Sequence, residues 1–198
     1  MSGGADADSD GAGDWPADLR GVTESVVTTL GPNDLWNVAA LGLHAGDPVT
    51  ATTWGRTRTW RNFRERGGGY VQFTPDPLDF TEAAMTIREE DEPILPSVDA
   101  WTEVEVERVD SGEDGDTQWV EWALSPVDSA VENTEVRTTN RGYYAVIEAT
   151  VAASRLGVGT YDQQTLRDRL TYFEGVVEKC GGEREQAAFD VVRENAEW

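Results

Sequence analysis

The stretch VTATTWGRTRTWRNFRERGGGYVQF, Val49 to Phe73, changes character twice. Val49 to Trp54 is β-branched and aromatic, the composition of a pleated strand. Arg56 to Arg66 (RTRTWRNFRER) reads as a short helix, and Gly67-Gly68-Gly69 stops it. Tyr70 to Phe73 resumes as a short strand closed by Pro75. Strand, helix and strand in such quick succession point to a β body with a helix inserted in it.

Upstream, Val22 to Leu30 (VTESVVTTL) and Leu35 to Leu43 (LWNVAALGL) read as strands. Gly31-Pro32-Asn33-Asp34 and Ala45-Gly46-Asp47-Pro48 supply the turns. Together with Val49 to Trp54 they make a three-stranded meander. Downstream, Asp76 to Met85 reads as a helix with Asp76 as N-cap and Pro77 at its first position. Glu89 to Pro96 is an acidic loop. Val104 and Val106 alternate with Glu103, Glu105 and Glu107, so Trp101 to Val109 is a strand with one wet face. Asp110 to Asp116 is a hairpin loop, Trp119 to Leu124 a strand, and Val131 to Thr138 a further strand.

From Asn140 the period turns helical. Tyr144, Ile147 and Val151 share a face until Gly157-Val158-Gly159 ends the helix. Thr160 and Gln163 have capping-box spacing before the apolar stripe Leu166, Leu170, Phe173, Val177 and Cys180. Gly181-Gly182 separates a last helix, Glu183 to Asn195. The expected organisation is a disordered acidic tail over 1–19, a β domain over 20–139 and a helical extension over 140–198. The class is α+β, mainly β.

The chain has 198 residues, 38 acids against 16 bases, and a net charge of −22. A polyanion or an anionic membrane surface would be repelled, so nucleic acid and membrane are not expected partners. Lys179 is the only lysine. Acid-rich, lysine-poor composition resembles that of proteins from salt-loving archaea, where molar salt shortens screening to about 3 Å. Carboxylate clusters therefore read first as solvated surface. Cys180 alone excludes an intrachain disulfide, and His44 alone excludes a two-histidine zinc site. No metal site is expected. No run has transmembrane length and the N-terminus does not read as a signal peptide, so the expected location is the cytoplasm.

Against that acidic background, Arg56 to Arg66 holds five arginines and one acid, a local charge of +4. The segment starts a helix directly after a strand, with Thr57, Thr59 and Asn62 in its first turns. Free N–H groups, hydroxyls and guanidinium groups together suit an anion, a phosphate above all. A surface helix whose arginines pair with neighbouring acids is the plainer alternative.

These segments resemble the archaeal DUF447 group, within the FMN-binding split-barrel class of flavin reductases and flavin-dependent oxidases. The resemblance rests on ESVVTTL at Glu24 to Leu30, WNVAALGL at Trp36 to Leu43, and TTWGRTRTWRNFRERGGGYVQFTPDPLDFTEAA at Thr52 to Ala84. Asn140-Arg141, Ala145 to Ala149 and Arg155 resemble the group's C-terminal helix. The resemblance implies a six-stranded Greek-key split β-barrel with a helical extension, binding FMN as a homodimer with the flavin near the subunit interface. It implies phosphate contacts from Arg56, Thr57, Thr59 and Asn62, with Arg58 or Arg61 as further candidates. It implies ring contacts from Asn37, Val38 and Ala39 on one strand and Thr52, Thr53 and Trp54 on the next. Small Ala39 and Ala40 would admit a flat ring. The implied function is a flavin-dependent oxidoreductase acting on a small molecule. The alternative is a non-catalytic dimer that binds FMN or another phosphorylated ligand.

Other residues read more simply. Trp36, Trp54 and Trp60 would stack on a flavin or fill the core. His44 is a loop residue or a proton donor. Asp76, Asp79 and Glu82 share a helix face that would suit a cation, but capping and the acidic coat account for them. Cys180 belongs to an apolar stripe. Asn140 and Arg141 cap a helix or reach the ligand. No residue stands out as a catalytic acid or base.

Overall fold

The computed structural model describes residues 13–115 and 117–198. Strands β1 (Val22–Leu30), β2 (Trp36–His44) and β3 (Val49–Trp54) form the expected meander. Helix α1 (Arg58–Arg66), β4 (Gly68–Phe73), α2 (Pro77–Met85) and the short β5 (Arg88–Glu90) follow. A long hairpin, β6 (Ala100–Asp114) and β7 (Thr117–Val131), leads to α3 (Arg141–Ala153), α4 (Gln163–Cys180) and α5 (Glu183–Asn195).

The antiparallel order β1-β4-β6-β7-β3-β2 closes on itself through the β1–β2 pairing, and β5 lies outside on β2. Each of the six barrel strands is thereby paired on both sides over at least part of its length. The barrel is filled by Val27, Leu41, Leu43, Phe63, Val71, Val104, Trp122 and Leu124. Phe63, 1% exposed, drives its ring edge-on into Trp122 at 5.6 Å. That contact plugs α1 into one end of the barrel. Thr59, Asn62 and Phe63 are α1's buried residues, spaced as one helical face. Gly67 takes φ 75° and ends the helix with its N–H on Phe63 O. A left-handed backbone suits glycine there.

The helical unit has its own core of Ala145, Val146, Ala149, Leu166, Leu170, Val177 and Phe189. A third cluster, with Val26, Val38, Phe80, Ala83 and Leu95, joins α2 to the barrel wall. The α2 helix also packs on α3 and α5, so it joins the two larger cores.

Four expectations change. Residues 1–12 of the expected tail lie outside the described residues, but 13–19 pack on the barrel. Trp15 meets Phe73 at 6.5 Å and Leu19 joins the core, because two large apolar side chains interrupt the polar composition. Val131 to Thr138 is not a separate strand: β7 ends at Val131, and 132–140 cross to α3 without regular structure. The expected Asp110–Asp116 loop is strand as far as Asp114, since pairing with β7 runs on to Asp114–Thr117, and Asp116 lies outside the described residues. Finally, Tyr144 is 57% exposed, and α3 buries Ala145, Val146, Ala149 and Ala152 instead. Small residues win that face because α3 packs closely against α4: a Cβ on Gly142 would fall 2.5 Å from Gly181 Cα.

Candidate functional site

The site begins where the barrel fails to zip. β2 and β3 pair only at Leu43–Ala51 and His44–Thr50. On the same edge β2 pairs with β5 at Trp36 to Val38. Ala39 to Gly42 therefore have no strand partner on that edge. Across the gap, Thr52 to Trp54 pair with β7 on one side only. A cleft of about 930 Å³ opens between these edges, and Ala39, Ala40, Leu41, Gly42, Thr52, Thr53 and Trp54 line it. Backbone N–H and C=O groups left in such a recess require partners, which a ligand with a polar rim supplies.

One end of the cleft reaches the start of α1. Thr57 is the N-cap, its hydroxyl accepting the Trp60 N–H at 3.2 Å. The N–H groups of Arg58 and Thr59 precede the first intrahelical bond, Arg61 N to Thr57 O. Thr57 and Thr59 both line the cleft. Beneath them Asn37, 5% exposed, donates Nδ2–H to Thr59 Oγ1 at 3.5 Å. Hydroxyls and N–H groups at a helix start form an anion-binding corner.

The ten expected site residues divide. Ala39, Thr52, Thr53, Trp54, Thr57 and Thr59 lie together on the cleft wall. The Thr53 hydroxyl turns inward, donating to Val120 O and accepting the Trp122 indole N–H at 2.9 Å, so its backbone is what meets the cleft. Asn37 lies one layer below. Val38 faces α2 in the third cluster. Asn62, 1% exposed, is spent on β1: Nδ2 donates to Thr29 O and Thr29 Oγ1, while Oδ1 accepts from Arg61. Arg56 lies on the far side of α1 with Arg64 and Trp60, its Nε donating to Gln118. Arg58 pairs with Glu89 at 3.4 Å. The helix thus turns its hydroxyls to the cleft and its guanidinium groups away from it.

The other candidates occupy structural positions. Asp76 caps α2 through Leu78 N–H and pairs with Arg184. Asp79 and Glu82 converge on Arg88 at 2.6 and 3.2 Å. Trp36 packs edge-on against Tyr70, and Trp60 lies under the Arg64 guanidinium at 4.6 Å. Trp54 stands at the cleft rim, 53% exposed. His44 is exposed at the end of β2, and Cys180 is half-buried at the end of α4. Asn140 caps α3 by accepting Gly142 N–H at 2.8 Å and reaches Glu185 with Nδ2.

The opposite wall escaped sequence reasoning. Phe80, Ala83 and Ala84 of α2 face the strands, and the segment after α3 closes the far end with Ser154, Arg155, Val158 and Tyr161. Gln163 organises that segment. It accepts Gly157 N–H at 2.8 Å and donates to Val158 O at 2.9 Å and Tyr161 O at 3.1 Å. The expected Thr160 capping box is absent because this use engages Gln163, and Asp162 caps α4 instead. Glu24 of β1 also lines the cleft. Desolvation by the cleft walls raises its carboxyl pKa, Glu148 adds to the rise, and Arg155 and His44 oppose it.

The chain matches the model described as "Protein of unknown function (DUF447) N-terminal domain" over residues 23–133 and the companion DUF447 model over 140–194. A solved structure of an FMN-bound protein from Methanosarcina mazei, carrying the same family model, is similar with a TM-score of 0.75 at 21% identity. The match covers 89% of this chain and 96% of that one. Flavoredoxin from Methanosarcina acetivorans overlaps more loosely, with a TM-score of 0.40 and 11% identity over 64% of this chain and 79% of its own. Barrel and helical unit both fall under one family description, and the protein is a member of the DUF447 family.

Proposed function

We propose that this protein is an FMN-binding flavoprotein of the split-barrel class, acting as an oxidoreductase on a small molecule. The observation that carries the reading is the pair of unpartnered strand edges, Ala39–Gly42 and Thr52–Trp54, facing a cleft that ends at a helix start. A flavin matches each part: a flat ring with a polar rim for the edges and a phosphate for the corner. The volume lies within the range of cofactor pockets. The description of the Methanosarcina mazei protein as FMN-bound supports the same assignment.

Thr57, Thr59 and the N–H groups of Arg58 and Thr59 would hold the phosphate. Ala39 and Ala40 keep the floor low enough for a ring to approach the backbone. Phe80 and Ala83 wall off water from the side of α2. When bound, FMN supplies the hydride and electron transfer, and the protein supplies position and field. We extend the proposal to a cytoplasmic homodimer, in which a second copy would cover the exposed Trp54 at the rim.

Absorbance in the flavin bands after purification in molar salt, followed by FMN titration, tests the reading. Yellow protein, or saturable uptake of added FMN, is the expected result. Colourless protein that takes up no FMN overturns it. Oxidation of NADH or NADPH by the loaded protein separates an oxidoreductase from the non-catalytic alternative, and light scattering in the same salt tests the dimer.

A further inference from the structure

The cleft has two chemically different ends. The barrel end offers hydroxyls and N–H groups. The helical end offers a guanidinium, Arg155, beside apolar Val151 and Val158. We infer that this helical end is a carboxylate-binding site, in which Arg155, steadied by Tyr161, receives the carboxylate of a small organic anion. The substrate class of the proposed oxidoreductase is then an organic acid. That last step rests on the flavin reading, but the carboxylate site itself does not.

Arg155 has no carboxylate within 4.0 Å among the described residues, although the chain carries 38 acids. The neighbouring Glu148 on α3 is taken instead by Arg169 at 2.7 Å. The Arg155 guanidinium lies 5.1 Å from the centroid of the Tyr161 ring. A cation resting on an aromatic face keeps the N–H groups along its edge available, and that edge matches a carboxylate bidentately. The support is rigid, because Gln163 ties Gly157, Val158 and Tyr161 into one turn. A main chain held this way loses little freedom when a ligand arrives. Val151 and Val158 would take the apolar part of the molecule.

Glu24 gives the site a pH signature. The groups that act on it are Arg155, Glu148 and His44, and Arg155 is the strongest of them in favouring its ionised form. An anion on Arg155 cancels that support, so Glu24 takes up a proton more readily when the site is filled. Binding therefore tightens as pH falls for as long as the ligand's own carboxylate stays ionised, and Glu24→Gln flattens that part of the profile.

Calorimetric titration of the full chain with benzoate, and with neutral benzamide as the uncharged match, tests the site with and without FMN. Benzoate is expected to bind in the millimolar range and benzamide to bind at least about tenfold more weakly. Arg155→Gln is expected to weaken benzoate by at least about tenfold while leaving FMN uptake and the melting temperature unchanged. Arg155→Lys, which keeps charge but loses the fork, should recover only part of the affinity. Equal binding of benzoate and benzamide, no benzoate binding at millimolar concentration, or an Arg155→Gln protein that binds benzoate normally would each overturn the site. Loss of FMN uptake in Arg155→Gln would assign the arginine to the cofactor and overturn it too. Benzoate binding at Arg155 in a protein that takes up no FMN would leave the site standing and sink the flavin reading.

Discussion

The two walls of the cleft are built on different principles. The barrel wall is backbone: strand edges left without partners, small side chains, and the first N–H groups of α1. The helical wall is side chain: Arg155 on Tyr161, with Gln163 holding the turn behind them. A backbone wall recognises a shape and a polar rim whatever the local sequence. A side-chain wall changes its preference with one substitution.

That contrast is open to attack. The largest effect is expected from Phe63→Ala, which empties the barrel end of α1 at a cost of about 3–5 kcal/mol. Urea denaturation should show that loss. FMN uptake should go with it, since Phe63 seats the helix that carries Thr57 and Thr59. Next, Thr57→Ala combined with Thr59→Ala should weaken FMN by about 1.5–3 kcal/mol for each hydroxyl lost from a charged group. Riboflavin, which lacks the phosphate, should bind this variant as it binds the parent. An equal loss for both ligands would show that the corner does not read phosphate.

A smaller change belongs to the helical wall. Gln163→Ala removes the three bonds to the 157–161 turn and should lower stability by about 1 kcal/mol. Benzoate affinity should fall while FMN affinity holds. Parallel loss of both ligands would break the division between walls. The smallest effect concerns Glu24. Its pKa is raised on folding, so its stabilising contribution is complete below the ordinary value of 4.5 and is lost as pH rises through the raised one. Denaturation midpoints should fall with pH just above 4.5 in the parent and fall less in Glu24→Gln.

The barrel was legible because β-branched runs and glycine turns specify strands locally, and the strand-to-helix junction marked Thr57 and Thr59. The arginines of α1 were harder. Charge density along a chain does not say which way a helix faces. The signal lay in the spacing instead: Thr59, Asn62 and Phe63 share a buried face, which turns Arg58, Arg61 and Arg64 the other way. Arg155 and Tyr161 lie in a glycine-rich turn with no periodicity, and only tertiary packing brings them opposite β2. Gln163 carried a misleading cue, because capping-box spacing cannot reveal that a side chain is already engaged elsewhere. Asn37 and Asn62 fell between these cases. Their type and position near the site were visible, but only the contacts show that both brace Thr59 or β1 from beneath.

The seam between β2 and β3 is closed by two residue pairs, where the neighbouring β1–β2 ladder has nine. So thin a seam carries few main-chain bonds across it. A molecule lying across the gap, bonded to both edges, supplies the missing rungs and turns an incomplete cylinder into a complete one. Ligand and fold then stabilise each other by mass action. Amide exchange along Ala39 to Gly42 and Thr52 to Trp54 should slow on loading by more than anywhere else in the barrel. In that sense the ligand would be the last piece of the sheet.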